Sequence, residues 1–98
     1  MKFISNLGVF ICPHIFENTR PILLVIHDEG DWQCLCGQYD HDGKGHLVGI
    51  GHLIQRDASL DELFDLQDGW EAERASENDA WIRRFVNINQ GTNPDTVQ

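Results

Sequence analysis

The sequence feature that most constrains the fold is an unbroken run of branched aliphatic residues at positions 22–26. A proline precedes this run, and the polar stretch 27–31 follows it. Runs of this length and composition are typical of central strands, because both faces of such a strand are buried. The run therefore predicts an interior sheet strand that ends in a turn.

In the next segment, 32–36, successive side chains alternate between two faces, as they do in a strand with one buried face. Trp32, Cys34 and Cys36 share that face, and a glycine closes the segment. Together with the aliphatic run, this segment predicts a hairpin whose turn spans 28–31.

Shorter elements are predicted on either side of the hairpin. In chain order they are a strand at 9–12, a second extended piece at 14–16, a polar loop at 38–45 and a strand at 46–50.

Two short helices are predicted in the middle of the chain. Positions 51–55 have the spacing of a helical turn with Leu53 and Ile54 inward. Ser59 and Glu62 match a capping box, in which the hydroxyl accepts from a backbone amide and the carboxylate reaches back to the cap. The box predicts a helix over 60–66 with Leu60, Leu63 and Phe64 on one face.

The C-terminal third has two readings. Segments 70–74 and 81–85 flank the polar stretch 76–79. They form either a terminal hairpin, which we favour, or one charged helix that contains 71–75. Residues 87–98 are polar and predict a flexible tail.

The composition predicts a single folded domain. The chain has 98 residues, of which 41% are hydrophobic and 23% are charged. A chain of this length buries roughly two-thirds of its unfolded surface, which is enough for one core. We expect an α+β domain over residues 1–86: a small curved, mainly antiparallel sheet with one or two short helices on one face.

Charge and cysteine usage restrict the function. The formal net charge of −9 opposes phosphate backbones and anionic lipid surfaces, so we expect neither nucleic-acid nor membrane binding. Three cysteines, two of them separated by a single residue, do not resemble the disulfide framework of a secreted domain. We therefore expect reduced thiols and a cytoplasmic protein.

Four residues offer a candidate metal site: Cys12 and His14 on one segment, Cys34 and Cys36 on another. Both pairs have the i, i+2 spacing that places two side chains on one face of a strand, and the set matches Cys₃His zinc ligation. On a flat strand, however, such side chains point parallel, whereas zinc ligands converge on one point. We therefore expect no metal and no cofactor, with Cys34 and Cys36 packed as small hydrophobic residues. A bend at Pro13 would alter the first pair.

The sequence contains no established catalytic pattern. Cys12 has His14 nearby, but the chain has neither a glycine-rich phosphate loop nor a nucleophile elbow. We expect a binding protein and not an enzyme. The alternative is a zinc-binding or small enzymatic domain that uses Cys12, His14, Cys34 and Cys36.

Acidic residues are concentrated at 57–79, where nine carboxylates and one arginine give −8 of the net charge. Such a segment is either a solvated face that maintains solubility or a surface that attracts a basic partner protein, with a tryptophan as its anchor. The partner-binding residues that we predict are Asp61, Glu62, Asp65, Asp68, Trp70, Glu71 and Glu73.

The order of several short motifs resembles a family of small uncharacterised bacterial domains. The motifs are ICPHIFE at 11–17, DWQCLCG at 31–37, HLI at 52–54, DASL at 57–60 and GWEAER at 69–74, with a closing Trp81. Members of related families are proposed, from gene neighbourhood, to be immunity proteins of polymorphic toxin systems. The resemblance implies a toxin-neutralising protein-binding role and supplies no catalytic residue. The cysteines around Trp32 depart from the family pattern.

Overall fold

The computed structural model describes residues 1–38 and 45–86. In chain order the elements are β1 (Gly8–Ile11), α1 (Pro13–Phe16), β2 (Leu24–Asp28), β3 (Asp31–Leu35), β4 (His46–Gly49), α2 (Ile50–Arg56), a 3₁₀ helix (Ala58–Leu63), β5 (Trp70–Glu73) and β6 (Ile82–Phe85). The strands form a six-stranded sheet in the order β4-β1-β3-β2-β5-β6. The predicted α+β class is therefore confirmed, whereas the predicted tail lies outside the described residues.

β2 and β3 form the predicted hairpin, with Asp28 opposite Asp31. The two residues between the strands, Glu29 and Gly30, have positive φ angles of 52° and 81°. Two-residue hairpin loops favour this conformation because its twist matches the twist of the strands. β2 begins two residues after the start of the aliphatic run 22–26.

The other pairings extend the sheet on both sides of this hairpin. β1 lies between β3 and β4, parallel to β3 and antiparallel to β4. β5 pairs antiparallel with β2 and with β6, so the hairpin reading of the C-terminal third is confirmed. Among the described residues, one of the five strand pairings is parallel, which agrees with a mainly antiparallel sheet.

One face of the sheet, which we name the inner face, carries the hydrophobic core. The strands contribute Val9, Ile11, Val25, Trp32, Cys34 and Ala72. The helices contribute Ile15, Ile50, Leu53, Ile54, Leu60 and Leu63 to the same cluster. Of the helices in the described ranges, all three therefore pack on this face. None of them is long and apolar enough to cross a membrane.

The opposite face, which we name the outer face, is formed by the alternate residues of each strand. By the register of the sheet they are Phe10, Leu24, Ile26, Gln33, Leu35, Leu47, Glu71, Glu73, Ile82 and Arg84. Three large apolar side chains among them, Phe10, Leu47 and Ile82, are exposed.

The prediction of an extended piece at 14–16 is wrong, because α1 forms there. Pro13 occupies the first helical position, where its fixed φ favours a helix and its missing N–H costs nothing. The carbonyl of Cys12 accepts from the amides of Ile15 and Phe16, which closes the turn.

The prediction of a capping box at Ser59 is wrong in its cap and in its helix type. Asp57 is the N-cap, and its carboxylate accepts from the amide of Ser59 at 3.1 Å. The Ser59 hydroxyl instead donates to Asp57 at 2.7 Å. The helix is 3₁₀, and with three residues per turn Leu60 and Leu63 lie inward while Phe64 turns out to solvent.

Candidate functional site

Two cysteine-bearing segments leave the sheet at the same end. β1 and β3 are parallel neighbours, with Ile11 level with Cys34. Cys12 follows β1 directly, and Cys36 follows β3 directly. Because neighbouring parallel strands have their carboxyl ends at the same end of the sheet, the two thiols lie close together.

α1 adds a histidine to this pair of thiols. Cys12 is the N-cap of the helix, with an extended ψ of 164°, and Pro13 turns the chain so that His14 faces back toward β3. The Cys36 sulfur lies 3.6 Å from His14 Nδ1. The ligand atoms of Cys12, His14 and Cys36 all lie within 4.8 Å of one another. We name these three residues the Cys–His cluster.

The surroundings of the Cys–His cluster combine burial with positive charge. Cys12 and Cys36 are buried, and His14 is half-buried. Arg20 Nη1 donates toward the Cys36 sulfur at 3.9 Å. Gly37, directly after Cys36, has a φ of +82°, so the chain turns sharply there.

Cys34 is not part of the cluster. Its side chain is fully buried in the core on the inner face, and burial raises the pKa of its thiol to about 12. The structure therefore brings together three of the four candidate ligands of the alternative prediction. It confirms the prediction that Cys34 and Cys36 are buried.

Several of the predicted partner-binding carboxylates bind groups within the chain. Asp61 accepts from the backbone amides of Lys2 and Phe3, at 2.7–3.1 Å. Asp65 pairs with Arg83 at 2.9 Å, and this hydrogen bond lowers the pKa of the Asp65 carboxyl.

Of the other carboxylates predicted to bind a partner, three bind groups within the chain and one is exposed. Asp68 accepts from the amides of the β2–β3 turn, at 2.7 and 3.1 Å. Glu71 and Glu73 both bind Arg84 on the outer face. Glu62 is exposed near the end of the 3₁₀ helix.

The predicted partner-binding residues therefore do not share one surface. Trp70 is half-buried on the inner face, 6.0 Å from the ring of Phe85, whereas Glu71 and Glu73 lie on the outer face. The carboxylates at 61–68 lie in the 3₁₀ helix and in the segment between this helix and β5.

Sequence reasoning missed Phe64 as a surface residue. The side chain is 45% exposed, and the Lys2 ammonium lies 5.0 Å from the centre of its ring. The spacing of a 3₁₀ helix, in which every third residue shares a face, would have placed Phe64 outside.

Sequence reasoning also missed a buried arginine. Arg74 donates twice to the carbonyl of Ile22, at 2.8 and 3.1 Å, and once to Ser59 at 3.0 Å. It also pairs with Asp57, and its guanidinium lies 4.1 Å from the centre of the Trp81 ring. This network joins the segment before β2, the 3₁₀ helix and the β5–β6 hairpin, so we interpret it as structural.

Comparisons with protein-family models, with curated proteins and with solved structures find no match. The resemblance to small bacterial domains therefore stays a prediction.

Proposed function

We propose that this chain is a cytoplasmic protein-binding domain whose partner is a basic protein, and that toxin neutralisation is the specific form of this function. The observation that carries the proposal is the exposed ring of Phe64 in a segment whose carboxylates are also exposed. Glu62 and Asp65 flank the ring in sequence, and Asp68 follows them. We name these four residues the acidic patch.

A lysine of the chain itself contacts this patch. The Lys2 ammonium lies over the ring of Phe64, and the charge of Lys2 contributes to the lowered pKa of the Asp65 carboxyl. An aromatic face and a carboxylate attract a cation by the same electrostatics wherever the cation comes from. A lysine or arginine of a partner would be bound in the same way.

The composition of the patch also fits the anatomy of an interface. Binding energy is concentrated in a few aromatic or arginine anchors, with a polar rim around them. Phe64 supplies the anchor, and the three carboxylates supply the rim. The net charge of −9 would in addition accelerate encounter with a basic protein. The resemblance to relatives of proposed immunity proteins supports the specific form.

The test measures association of the full chain with a purified basic protein chosen among the products of its neighbouring genes. The association rate should fall steeply as the salt concentration rises, because screening weakens long-range attraction. Glu62→Lys should slow association several-fold, and Phe64→Ala should accelerate dissociation. Asp61 and Asp68 are left intact, since both accept from backbone amides.

The matched control is Glu17→Lys, which makes the same charge change at an exposed residue outside 57–79. Circular dichroism melts establish that each variant is folded. If Glu62→Lys and Glu17→Lys slow association equally, only net charge matters and the acidic patch is not the site. If neither variant changes the rate, 57–79 is a solubilising segment and the proposal fails.

A further inference from the structure

We propose that the Cys–His cluster is a zinc site in which Cys12, His14 and Cys36 supply three ligands to one ion. This site lies at the end of β1 and β3 and is independent of the acidic patch. The expectation of no metal assumed that Cys12 and His14 point parallel on a flat strand. That assumption is wrong for this pair, because α1 begins at Pro13.

The separation of the ligand atoms fits a tetrahedral ion. Bonds of about 2.3 Å to sulfur and about 2.1 Å to nitrogen place the two ligand atoms about 3.6 Å apart. The Cys36 sulfur and His14 Nδ1 are 3.6 Å apart. Two sulfurs on one zinc ion lie about 3.8 Å apart, whereas all three ligand atoms here lie within 4.8 Å. Closing the site on an ion therefore needs shifts of at most about 1 Å.

The donor set selects the metal. Two thiolates and an imidazole are soft or borderline ligands, which favour zinc over magnesium or calcium. Zinc sites with three protein ligands leave the fourth position to water or another small ligand. The half-buried position of His14 gives such a ligand access from solvent.

Two further features support a metal site over simple packing of apolar thiols. Arg20 donates toward the Cys36 sulfur at 3.9 Å, as groups behind metal-bound thiolates commonly do. Cys34 and Cys36 are both fully buried, but only Cys36 has a second thiol and an imidazole within 4.8 Å in the Cys–His cluster, so burial of a thiol does not by itself produce this arrangement.

The experiment titrates the reduced, purified full chain with Zn²⁺ against a chromophoric chelator, and repeats the titration with Co²⁺. Wild type should bind one zinc ion per chain and, with Co²⁺, should show the charge-transfer absorption of thiolate–cobalt bonds. Cys36→Ala and His14→Ala should each lower zinc affinity by about 100-fold or more, since changes behind the ligands alone cost up to about that much.

The chain offers a matched control for each variant. Cys34→Ala removes the thiol outside the cluster, and His52→Ala removes an exposed histidine of α2. Both should bind zinc as wild type does. His14 is half-buried, so His14→Ala keeps the test valid if Cys36→Ala does not fold.

Two results would overturn the proposal. The first is a reduced wild-type chain that binds no zinc, and the second is a cluster variant that binds zinc as tightly as its control. If the first result is found and the chain forms a disulfide between Cys12 and Cys36 under air, seen as a linked peptide pair by mass spectrometry, the cluster is assigned to redox chemistry. None of these results bears on the acidic patch.

Discussion

Two arginines near β5 bind carboxylates on opposite faces of the sheet, and the two arginines differ in how far they are buried. Arg74 follows β5 on the inner face, where its side chain is 1% exposed and pairs with Asp57. Arg84, on β6, lies on the outer face, where its side chain is 50% exposed and pairs with Glu71 and Glu73. The same residue types therefore form a structural network on one face and a solvated network on the other.

This difference shows that the carboxylates of the acidic segment 57–79 have two roles: some stabilise the fold, and others form the surface. A buried charge pair is costly to break, because the partner left behind stays buried without compensation. An exposed pair contributes little, since water and salt screen it. Carboxylates that look equivalent in the sequence thus divide into fold-stabilising residues such as Asp57 and surface residues such as Glu62.

Removing the buried arginine should have the largest effect. Arg74→Ala leaves the Asp57 carboxylate without its ion-pair partner and the Ile22 carbonyl without its Arg74 donors, so the free energy of unfolding should fall by about 3–5 kcal/mol. Urea unfolding measures this. Arg74→Lys, which keeps the charge without the planar fork, should recover only part of the loss. A loss below about 1 kcal/mol for Arg74→Ala would contradict the structural interpretation.

The second-largest effect on stability should come from acidification, which protonates the Asp57 carboxylate and so removes its ion pair with Arg74. Burial alone raises the pKa of the Asp57 carboxyl, but hydrogen bonds from Ser59 and Arg74 and the charge of Arg74 outweigh burial and hold the pKa below its usual range. A pKa lowered by folding contributes stability above the unfolded value of about 3.9, and this stability is lost as pH falls through the folded value.

The measurement for this second prediction is the free energy of unfolding at a series of pH values from neutral to acid. Asp57→Asn should start less stable than wild type and lose less stability on acidification, because it has no carboxylate to protonate at that position. Parallel curves for the two proteins would show that Asp57 is not stabilised as a carboxylate.

Removing the exposed arginine should have the smallest effect. Arg84→Ala loses the pairs with Glu71 and Glu73 on a solvated surface, so its stability should stay far closer to wild type than that of Arg74→Ala. Any difference should shrink at high salt, which screens exposed pairs. A loss as large as that of Arg74→Ala would mean that the outer face is covered in solution and would end the distinction between the two networks.

Local patterns in the sequence predict most of the elements. The aliphatic run 22–26 and the alternation at 32–36 predict the central hairpin, because strand periodicity and a turn act over a few residues. The sequence does not predict that β1 lies parallel to β3, since that pairing joins Phe10 to Gln33 and the chain between them contains α1 and β2. Strand order depends on such distant contacts.

The candidate sites were predictable to different degrees. Residue type indicates Cys12, His14, Cys34 and Cys36 as candidate metal ligands, and all of them except Cys34 converge in the structure. Their convergence depends on a four-residue helix that has too little length for a periodic pattern. Arg74 was unpredictable for another reason. A charged residue is expected at the surface, and its burial is explained by five side-chain hydrogen bonds together with the Trp81 ring.

The position of β1 between β3 and β4 has a consequence for how we expect the fold to assemble. The β2–β3 and β5–β6 hairpins close over short connections, whereas β1 pairs only with strands far along the chain, Phe10 lying opposite both Gln33 and Leu47. Long-range pairing is slow because loop closure costs entropy before contacts form. We expect amides of the β2–β3 hairpin to gain protection from hydrogen exchange first during refolding. The docking of β1, which carries Cys12 to Cys36, would then be the step that a bound ion stabilises.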